Sequence, residues 1–399
     1  MGEKIIYDFS ESACRKDTNA EKYTLRKELF GTQDVNPVWV ADMDIDTPDF
    51  VLEAVKKRLE HPIVGYEEVP SSAWQAQIVW MKKHHNIEIT EEELLYSHSV
   101  VATMSVCINA FSNVGDKVIV QTPVYSPFFH SVIENERELL KNPLKQEENG
   151  SYSFDIDDLK SKIDKDTKLL LLCSPHNPVG RVWQRDELEK ILEICLEHGI
   201  VVFSDEIHSD LVYAPNKHIP FASLSQEAKN ITVTAIGVGK TFNMAGFAMS
   251  SVAIANKDLR DKFKKVYNQI HFAQGATLSH VAFESAYKDG EFWLEQLKTH
   301  LHSNYIKLQD LCERYPNSIK ITPIEATYLA WLDCRGMNIN NKKLREFFIS
   351  EAKLGLNAGL GFGREGTGFM RLNFAVSSAK MSLIISQLES ALKDREENG

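Results

Sequence analysis

Between about residues 90 and 290, the chain alternates short, nearly continuous apolar runs with amphipathic segments such as Asp186–His198. Runs that are apolar on both faces are typical of parallel strands buried between two layers of helices. The pattern therefore predicts a mostly parallel sheet that helices cover on both sides. The predicted strands are Leu94–Ser97, Lys117–Gln121, Lys168–Cys173, Ile200–Ser204, Ile231–Ile236 and Ser251–Ala255.

The pattern changes after Gly290, where a long helix is predicted over Phe292–Arg314 and a closing helix from about Lys380. Between these helices, strands are predicted at Ile319–Thr322, Tyr328–Asp333 and Met370–Ala375. Helices are also predicted at Pro48–Glu60 and Ser72–His85, after a polar N-terminal segment. We expect a large α/β domain over residues 46–290, and a small α+β domain made of residues 1–45 and 291–399.

Composition narrows the possible functions. The 399 residues carry a net charge of −11, which disfavours binding to nucleic acid or to an anionic membrane. No apolar run approaches the roughly 18 residues of a membrane span, and the N-terminus lacks the apolar core of a secretion signal. The six cysteines are scattered without a CxxC pair, as in proteins of a reducing compartment. We expect a cytoplasmic protein without nucleic-acid or membrane partners.

Unusual residues follow four of the predicted strands, at the sheet edge where open α/β sheets bind ligands. Lys240 follows one strand, and a lysine facing a cleft can have a lowered pKa and act as a nucleophile. Asp205 ends another strand, and two prolines in Ser174-Pro-His-Asn-Pro178 fix the direction of Asn177. Ser97-His-Ser-Val-Val-Ala-Thr103 begins a helix, whose free N–H groups suit a phosphate. Taken alone, each feature is also explained by a solvated loop or an ordinary capped helix.

Other polar clusters are less informative. Asp205, Glu206, His208 and Asp210 include potential metal ligands, but no further ligands lie at a recognisable spacing, so we predict no metal site. Four histidines lie on polar faces of predicted helices, and we expect them in solvent. They are His84, His85, His300 and His302.

Seven segments, taken together and in this order, resemble the fold-type I enzymes of pyridoxal 5′-phosphate (PLP). They are most similar to the cystathionine β-lyase-like C–S lyases, the MalY/PatB and cystalysin group. The resemblance extends from Trp39 to the C-terminus. The segments are Trp39-Val-Ala-Asp-Met-Asp44, Val64-Gly-Tyr66, Pro123-Val-Tyr-Ser-Pro-Phe128, Ser174-Pro-His-Asn-Pro-Val-Gly-Arg-Val-Trp183, Ser204-Asp-Glu-Ile-His208, Lys240-Thr-Phe-Asn-Met-Ala-Gly246 and Arg371-Leu-Asn-Phe-Ala375.

The resemblance implies a PLP cofactor and assigns roles around its ring. Lys240 would hold the cofactor as a Schiff base and then act as general base on the substrate Cα–H. Asp205 would pair with the pyridine nitrogen, and Tyr125 would stack on the ring face. Asn177 and Tyr213 would hydrogen-bond the ring 3′-oxygen.

The resemblance also assigns the cofactor phosphate and the substrate. Backbone N–H groups of Val101, Ala102 and Thr103 would bind the phosphate, and Tyr66 would reach it from the other subunit of a homodimer. Arg371 would bind the substrate carboxylate as a bidentate fork. Asn177 and the backbone around Ala41 would complete that side of the pocket.

The function implied is α,β-elimination of S-substituted L-cysteines to pyruvate, ammonia and a thiol. An aminotransferase acting on an L-amino acid and a 2-oxo acid is the alternative, because it would use the same lysine. A regulatory binding protein on the same fold is the third hypothesis.

The sequence departs from the group's pattern near the phosphate. Ser99-Val-Val-Ala102 stands where Gly-Val-Val-Pro is usual, and Gly239 stands where serine or threonine is usual. Gly237 also lacks a hydroxyl that many relatives carry three residues before the lysine. Ser99 and Thr103 are candidates to compensate. Ala326 also replaces a usual glycine.

Overall fold

A seven-stranded sheet lies at the centre of the chain in the computed structural model, which describes residues 5–271 and 275–398. The strand Ser250–Ala253 runs antiparallel to both of its neighbours, whereas the other adjacent pairs are parallel. The strand order across the sheet is Leu94–Ser97, Ser250–Ala253, Thr232–Ile236, Val201–Asp205, Thr167–Cys173, Lys117–Thr122 and Glu138–Pro143. This is the α/β architecture that the apolar runs predict.

Side chains of successive strand residues point to opposite faces and enter different apolar clusters. Leu170 and Leu172 pack on one face with the helix Arg185–His198, while Leu169 and Leu171 pack on the other with Val100–Phe111. Because both faces are covered, the middle of such a strand is apolar on both sides, as in residues 169–173. The helices of this region are Asp49–Leu59, Ser71–His85, Val100–Phe111, Pro127–Glu134, Ile156–Lys162, Arg185–His198, Gln226–Ile231, Lys257–Gln269 and Thr277–Asp289.

A second, antiparallel sheet lies in the C-terminal part of the chain. Its strand order is Lys320–Ile321, Leu329–Asp333, Phe369–Asn373 and Asn357–Ala358. The helices of the two ends of the chain are Glu21–Thr24, Arg26–Phe30, Glu291–Arg314, Asn341–Glu346 and Ser378–Asn398. Two short pairs complete the strands, Asn36–Pro37 with Leu354–Gly355 and Lys145–Gln146 with Tyr152–Ser153. One apolar cluster crosses residues 46 and 291, so the domain bounds stay a prediction.

Two features differ from the sequence-based expectations. The edge strand Glu138–Pro143 was not predicted, because its polar residues and terminal proline are tolerated only at a sheet edge. The expectation that His85 lies in solvent is wrong. Its side chain is buried, and Nε2 lies 2.7 Å from a carboxylate oxygen of Asp210. The imidazole therefore faces a buried carboxylate rather than solvent.

Two further expectations concern the cysteines and membranes. All six cysteines are free thiols, and only Cys14 is exposed. Within the described ranges, no helix has the length and apolar character needed to cross a membrane.

A buried ion cluster fixes the N-terminal segment to the closing helix. Asp44 forms ion pairs with Arg15, with the fully buried Lys22 and with Lys380. Arg15 and Lys22 also pair with Asp42, each at 2.8 Å. Burial alone would raise the pKa of Asp44, but the charges of Lys22 and Lys380 outweigh it and lower that pKa to about 2.

We expect Asp44→Asn to lower the free energy of unfolding by about 2 to 3 kcal/mol, because it removes the carboxylate that Arg15, Lys22 and Lys380 share and leaves Lys22 with Asp42 alone. The lowered pKa of Asp44 implies stability that is present above its unfolded value and is lost as the pH falls towards 2. Denaturant titration of both proteins between pH 5 and 2 checks this, since the difference should shrink with acid. The exposed Asp261→Asn, which removes a partner of Lys257, serves as the control that changes little.

Candidate active site

The carboxyl ends of four adjacent parallel strands bring the candidate residues to one edge of the sheet. Lys240, Asp205, Asn177 and Tyr125 follow or end neighbouring strands, and all four line a cavity of about 200 Å³. Strand register supports this alignment, because Asp205 is paired with Cys173 on one side and with Ala235 on the other. The parallel arrangement thus converts four distant segments into one site.

The amine of Lys240 is held against the N-terminal segment. Nζ donates a hydrogen bond of 2.6 Å to the carbonyl oxygen of Ala41, which also accepts one of 2.9 Å from the Tyr328 hydroxyl. Burial, assisted by the positive charge of Arg371, lowers the pKa of Lys240 to about 8. A substantial fraction of this amine is therefore neutral near physiological pH and can act as a nucleophile or base.

Asp205 is a buried carboxyl group that accepts one hydrogen bond from the described residues. One oxygen, Oδ1, accepts the N–H of Ile207 at 3.1 Å, and no described residue donates to the other oxygen. Burial raises the pKa of Asp205 to about 7, although the positive charge of Lys240 opposes the shift. A protonated ring nitrogen beside Asp205 would stabilise the carboxylate form.

Arg371 supplies a buried cation next to Asn177. Its Nη1 donates to Asn177 Oδ1 at 3.0 Å, and Nη2 donates to the carbonyl of Trp39 and to Asn357 Oδ1, both at 2.8 Å. Burial lowers the pKa of Arg371 to about 10. No carboxylate of the described residues forms an ion pair with this guanidinium, whose Nε is buried without a partner. The arrangement favours an incoming anion.

Two asparagines fix the wall that contains Ala41. Asn243 accepts the N–H of Met43 at 2.9 Å and donates to the carbonyls of Met43 and Ile45. Asn373 donates to the carbonyls on either side of Ala41, those of Val40 and Asp42, both at 2.6 Å. The backbone beside Lys240 is thereby held from both sides.

The predicted phosphate loop is only partly available. Val101 lines the cavity, and its N–H has no acceptor among the described residues. The N–H of Ala102 instead donates to Ser99 Oγ, the N-cap of the helix, and the N–H of Thr103 donates to the Ser99 carbonyl. Neither Ala102 nor Thr103 lines the cavity. Both N–H groups are used in starting the helix.

Two predicted tyrosines lie outside the cavity lining. Tyr213 is buried, and its hydroxyl donates to the Thr327 carbonyl at 2.7 Å, so this donor is used by the protein itself. Tyr66 is 93% exposed and lies in a segment outside the helices and strands. The cofactor contacts of both residues stay predictions.

His208 also lines the cavity, although the sequence indicated this residue only as a potential metal ligand. Neither ring nitrogen is hydrogen-bonded to a described residue, and burial lowers the pKa of His208 to about 3. The imidazole is thus neutral. The signal that could have found it is its position three residues after Asp205, in the turn that leaves the strand.

Comparison with known proteins identifies the family. Residues 40–388 match the family model described as aminotransferase class I and II. The chain therefore belongs to the class I and II aminotransferase family.

Individual relatives resemble almost the whole chain. Cystathionine beta-lyase PatB from Bacillus subtilis is 38% identical over 386 residues, which cover 96% of this chain and 100% of the relative. Cystalysin from Treponema denticola, whose crystal structure contains a pyridoxal 5′-phosphate cofactor, is 35% identical, with a TM-score of 0.94 and coverage of 98% and 100%. A PLP-bound putative aminotransferase from Clostridium difficile is 37% identical, with a TM-score of 0.94 and coverage of 97% and 100%.

We expect the amine of Lys240 in the cofactor-free protein to react with a midpoint near pH 8, because its pKa is lowered to about that value. Reductive methylation at a series of pH values, followed by peptide mass spectrometry, measures this midpoint. Arg371→Met removes a neighbouring positive charge and should move the midpoint upward.

The exposed Lys257 provides an internal reference in the same digest, because its hydrogen bond with Asp261 raises its pKa above the ordinary lysine value. A Lys240 midpoint equal to that of Lys257 would contradict the assignment.

Proposed function

We propose that this protein is a PLP-dependent carbon–sulfur lyase that converts S-substituted L-cysteines to pyruvate, ammonia and a thiol. The observation that carries the proposal is the placement of a partly neutral lysine amine and a buried carboxyl group in one cavity, beside an unpaired arginine. Similarity to a cystathionine beta-lyase and to cystalysin over nearly the whole chain supports the choice of reaction.

The residues present fit a PLP molecule. Lys240 offers a reactive amine, and Asp205 offers a buried carboxylate oxygen without a donor. Tyr125 lines the same cavity as an aromatic ring suited to stacking on a flat heterocycle. The helix beginning at Val100 also lines the cavity, and it provides a positive dipole end and the free N–H of Val101 for the phosphate.

Bound PLP supplies an electron-withdrawing ring that stabilises negative charge at the substrate Cα. Lys240 would hold the cofactor covalently, and its amine, once free, would remove the substrate Cα proton. The lowered pKa of Lys240 matches this task, because a base is most effective when its pKa lies near the working pH.

The remaining residues orient the reacting groups. Asp205 would accept a charge-assisted hydrogen bond from a protonated ring nitrogen. Arg371 binds the substrate α-carboxylate, with Asn177 beside it to fix the guanidinium plane. Asn177 also lies on the cavity wall, where its amide N–H₂ group can donate to the ring oxygen. Together these contacts align the Cα–H bond with the Lys240 amine.

The walls of the cavity favour a thioether side chain. Met244, Met249, Ile207 and Phe128 are among the lining residues, and thioether sulfur interacts well with such soft, apolar surfaces. Within the described lining, Lys240 is the one lysine or arginine side chain.

Aminotransfer is the alternative reaction, and the similarity to a putative aminotransferase from Clostridium difficile favours keeping it. Both reactions begin with proton removal by Lys240. In elimination, the sulfur substituent would then leave Cβ. In aminotransfer, the proton would instead be added to a carbon of the cofactor. Release of pyruvate without any added 2-oxo acid distinguishes the lyase.

Two further parts of the proposal concern assembly and location. The segment at residues 62–68 exposes Ile63, Val64 and Tyr66, an unusual concentration of apolar surface beside the acidic remainder of the chain. We infer that a second copy covers it, so that Tyr66 of the partner subunit reaches the phosphate. A location in the cytoplasm accords with the six free thiols.

We expect the wild-type protein with PLP to show a visible absorbance band that borohydride abolishes, and to release pyruvate from cystathionine. Lys240→Ala should lose pyruvate release by at least about a thousandfold, since it removes both the covalent anchor and the base. Asp210→Asn, which leaves the cavity lining intact, is a control that should retain the band. Amino-acid consumption that requires a 2-oxo acid and yields no pyruvate would sink the lyase proposal.

We also expect sedimentation to give a homodimer with sites shared between subunits. Mixing Lys240→Ala with Tyr66→Ala protein should then produce hybrid dimers in which one site in two carries both native residues. PLP affinity and activity of the mixture should exceed those of either parent at equal concentration. A fully active monomer, or a mixture no better than its parents, contradicts the shared site.

A further inference from the structure

Gly237, in the loop before Lys240, is closely packed. A Cβ atom built there would lie 2.8 Å from Ile207 Cδ1 and 3.1 Å from Ser250 Cβ. A side chain at this position would therefore displace the end of the Ile207 side chain and press on Ser250. Ser250 itself carries a hydroxyl.

Ser250 lies at the same edge of the sheet as the helix that begins at Val100. Because Ser250–Ala253 runs antiparallel to its neighbours, its first residue lies beside the last residue of the strand Leu94–Ser97. Ser250 is 3% exposed, lines the cavity and donates from Oγ to the Ser97 carbonyl at 3.2 Å. Ser250 is thus paired with Ser97, which lies two residues before Ser99, the N-cap of the helix.

Ser99 and Thr103, the other candidate hydroxyls, differ in whether they line the cavity and in their hydrogen-bond partners. Ser99 lines the cavity, and its Oγ accepts the N–H of Ala102, which leaves its hydroxyl hydrogen free to donate. Thr103 lies outside the lining, with its hydroxyl bonded to Ser97 Oγ at 2.6 Å and to the Ser99 carbonyl at 3.1 Å. Thr103 is therefore excluded as the compensating group.

We propose that Ser250, acting with Ser99, binds the phosphate of the cofactor in place of the hydroxyls that Gly237 and Gly239 lack. The proposal rests on the proposed function, because it assumes that PLP occupies the cavity. Ser250 exchanges its long bond to the Ser97 carbonyl for a shorter, charge-assisted bond to a phosphate oxygen. A glycine at position 237 leaves the side chain of Ser250 uncrowded.

The test compares PLP with pyridoxal, which lacks the phosphate. Dissociation constants are measured for cofactor-free full-length protein by quenching of tryptophan fluorescence. Ser250→Ala should weaken PLP binding about tenfold, the effect of losing one hydrogen bond to a charged group, and should leave pyridoxal binding within about twofold. Ser250→Cys keeps the shape but donates weakly, so it should lose the same preference for PLP.

Ser251→Ala is the matched control, because it removes a hydroxyl from the next residue of the same strand, where Ser251 accepts from Gln77 outside the cavity. It should leave the ratio of the two dissociation constants unchanged. An equal loss for PLP and pyridoxal in Ser250→Ala, or no loss, overturns the assignment of Ser250. Failure of the wild-type protein to bind PLP would instead overturn the proposed function.

Discussion

The site depends on three ionisable groups that share one poorly solvated space. Burial lowers the pKa of Lys240 to about 8 and that of Arg371 to about 10, and it raises that of Asp205 to about 7. Each of these shifts disfavours the charged form of the group, and the groups influence one another through the low-dielectric interior. A ligand that brings a cation to Asp205 and an anion to Arg371 relieves both penalties at once. A ligand with this pattern of charges therefore binds more tightly, because it stabilises groups that are poorly solvated in the free protein.

The remainder of the fold holds these groups where burial can act on them. Parallel strands bring Asp205, Asn177 and Lys240 to one cavity, and apolar clusters cover both faces of the sheet beneath it. The N-terminal segment closes the crevice, pinned by Asn243 and Asn373. The ion cluster around Asp44 ties that segment to the last helix, outside the cavity. Two members of this cluster also act on the pKa of Lys240, since Asp42 raises it and Lys22 lowers it, so the two sets of charges are coupled.

Sequence could predict the sheet and the residues at the ends of its parallel strands, because apolar runs and strand ends are local signals. Lys240, Asp205 and Asn177 are of this kind, and the structure places them in one cavity. Ser250 gives no local signal, since its position follows from pairing with Ser97 across an antiparallel neighbour. His208 is hard to single out from the sequence, because it lies in a turn with several other polar residues. Tyr213 was predicted from the sequence to contact the cofactor, but its hydroxyl donates to the carbonyl of Thr327.

The bonds around Ala41 have a consequence for synthesis of the chain. The guanidinium of Arg371 reaches the Trp39 carbonyl across 332 residues, and the Lys240 amine reaches Ala41 across 199. At about 5 to 20 residues per second, a ribosome adds residue 371 roughly 15 to 65 s after residue 39. The crevice thus stays open on the nascent chain until translation is nearly finished. Stable capture of a cofactor is consequently an event of the completed polypeptide.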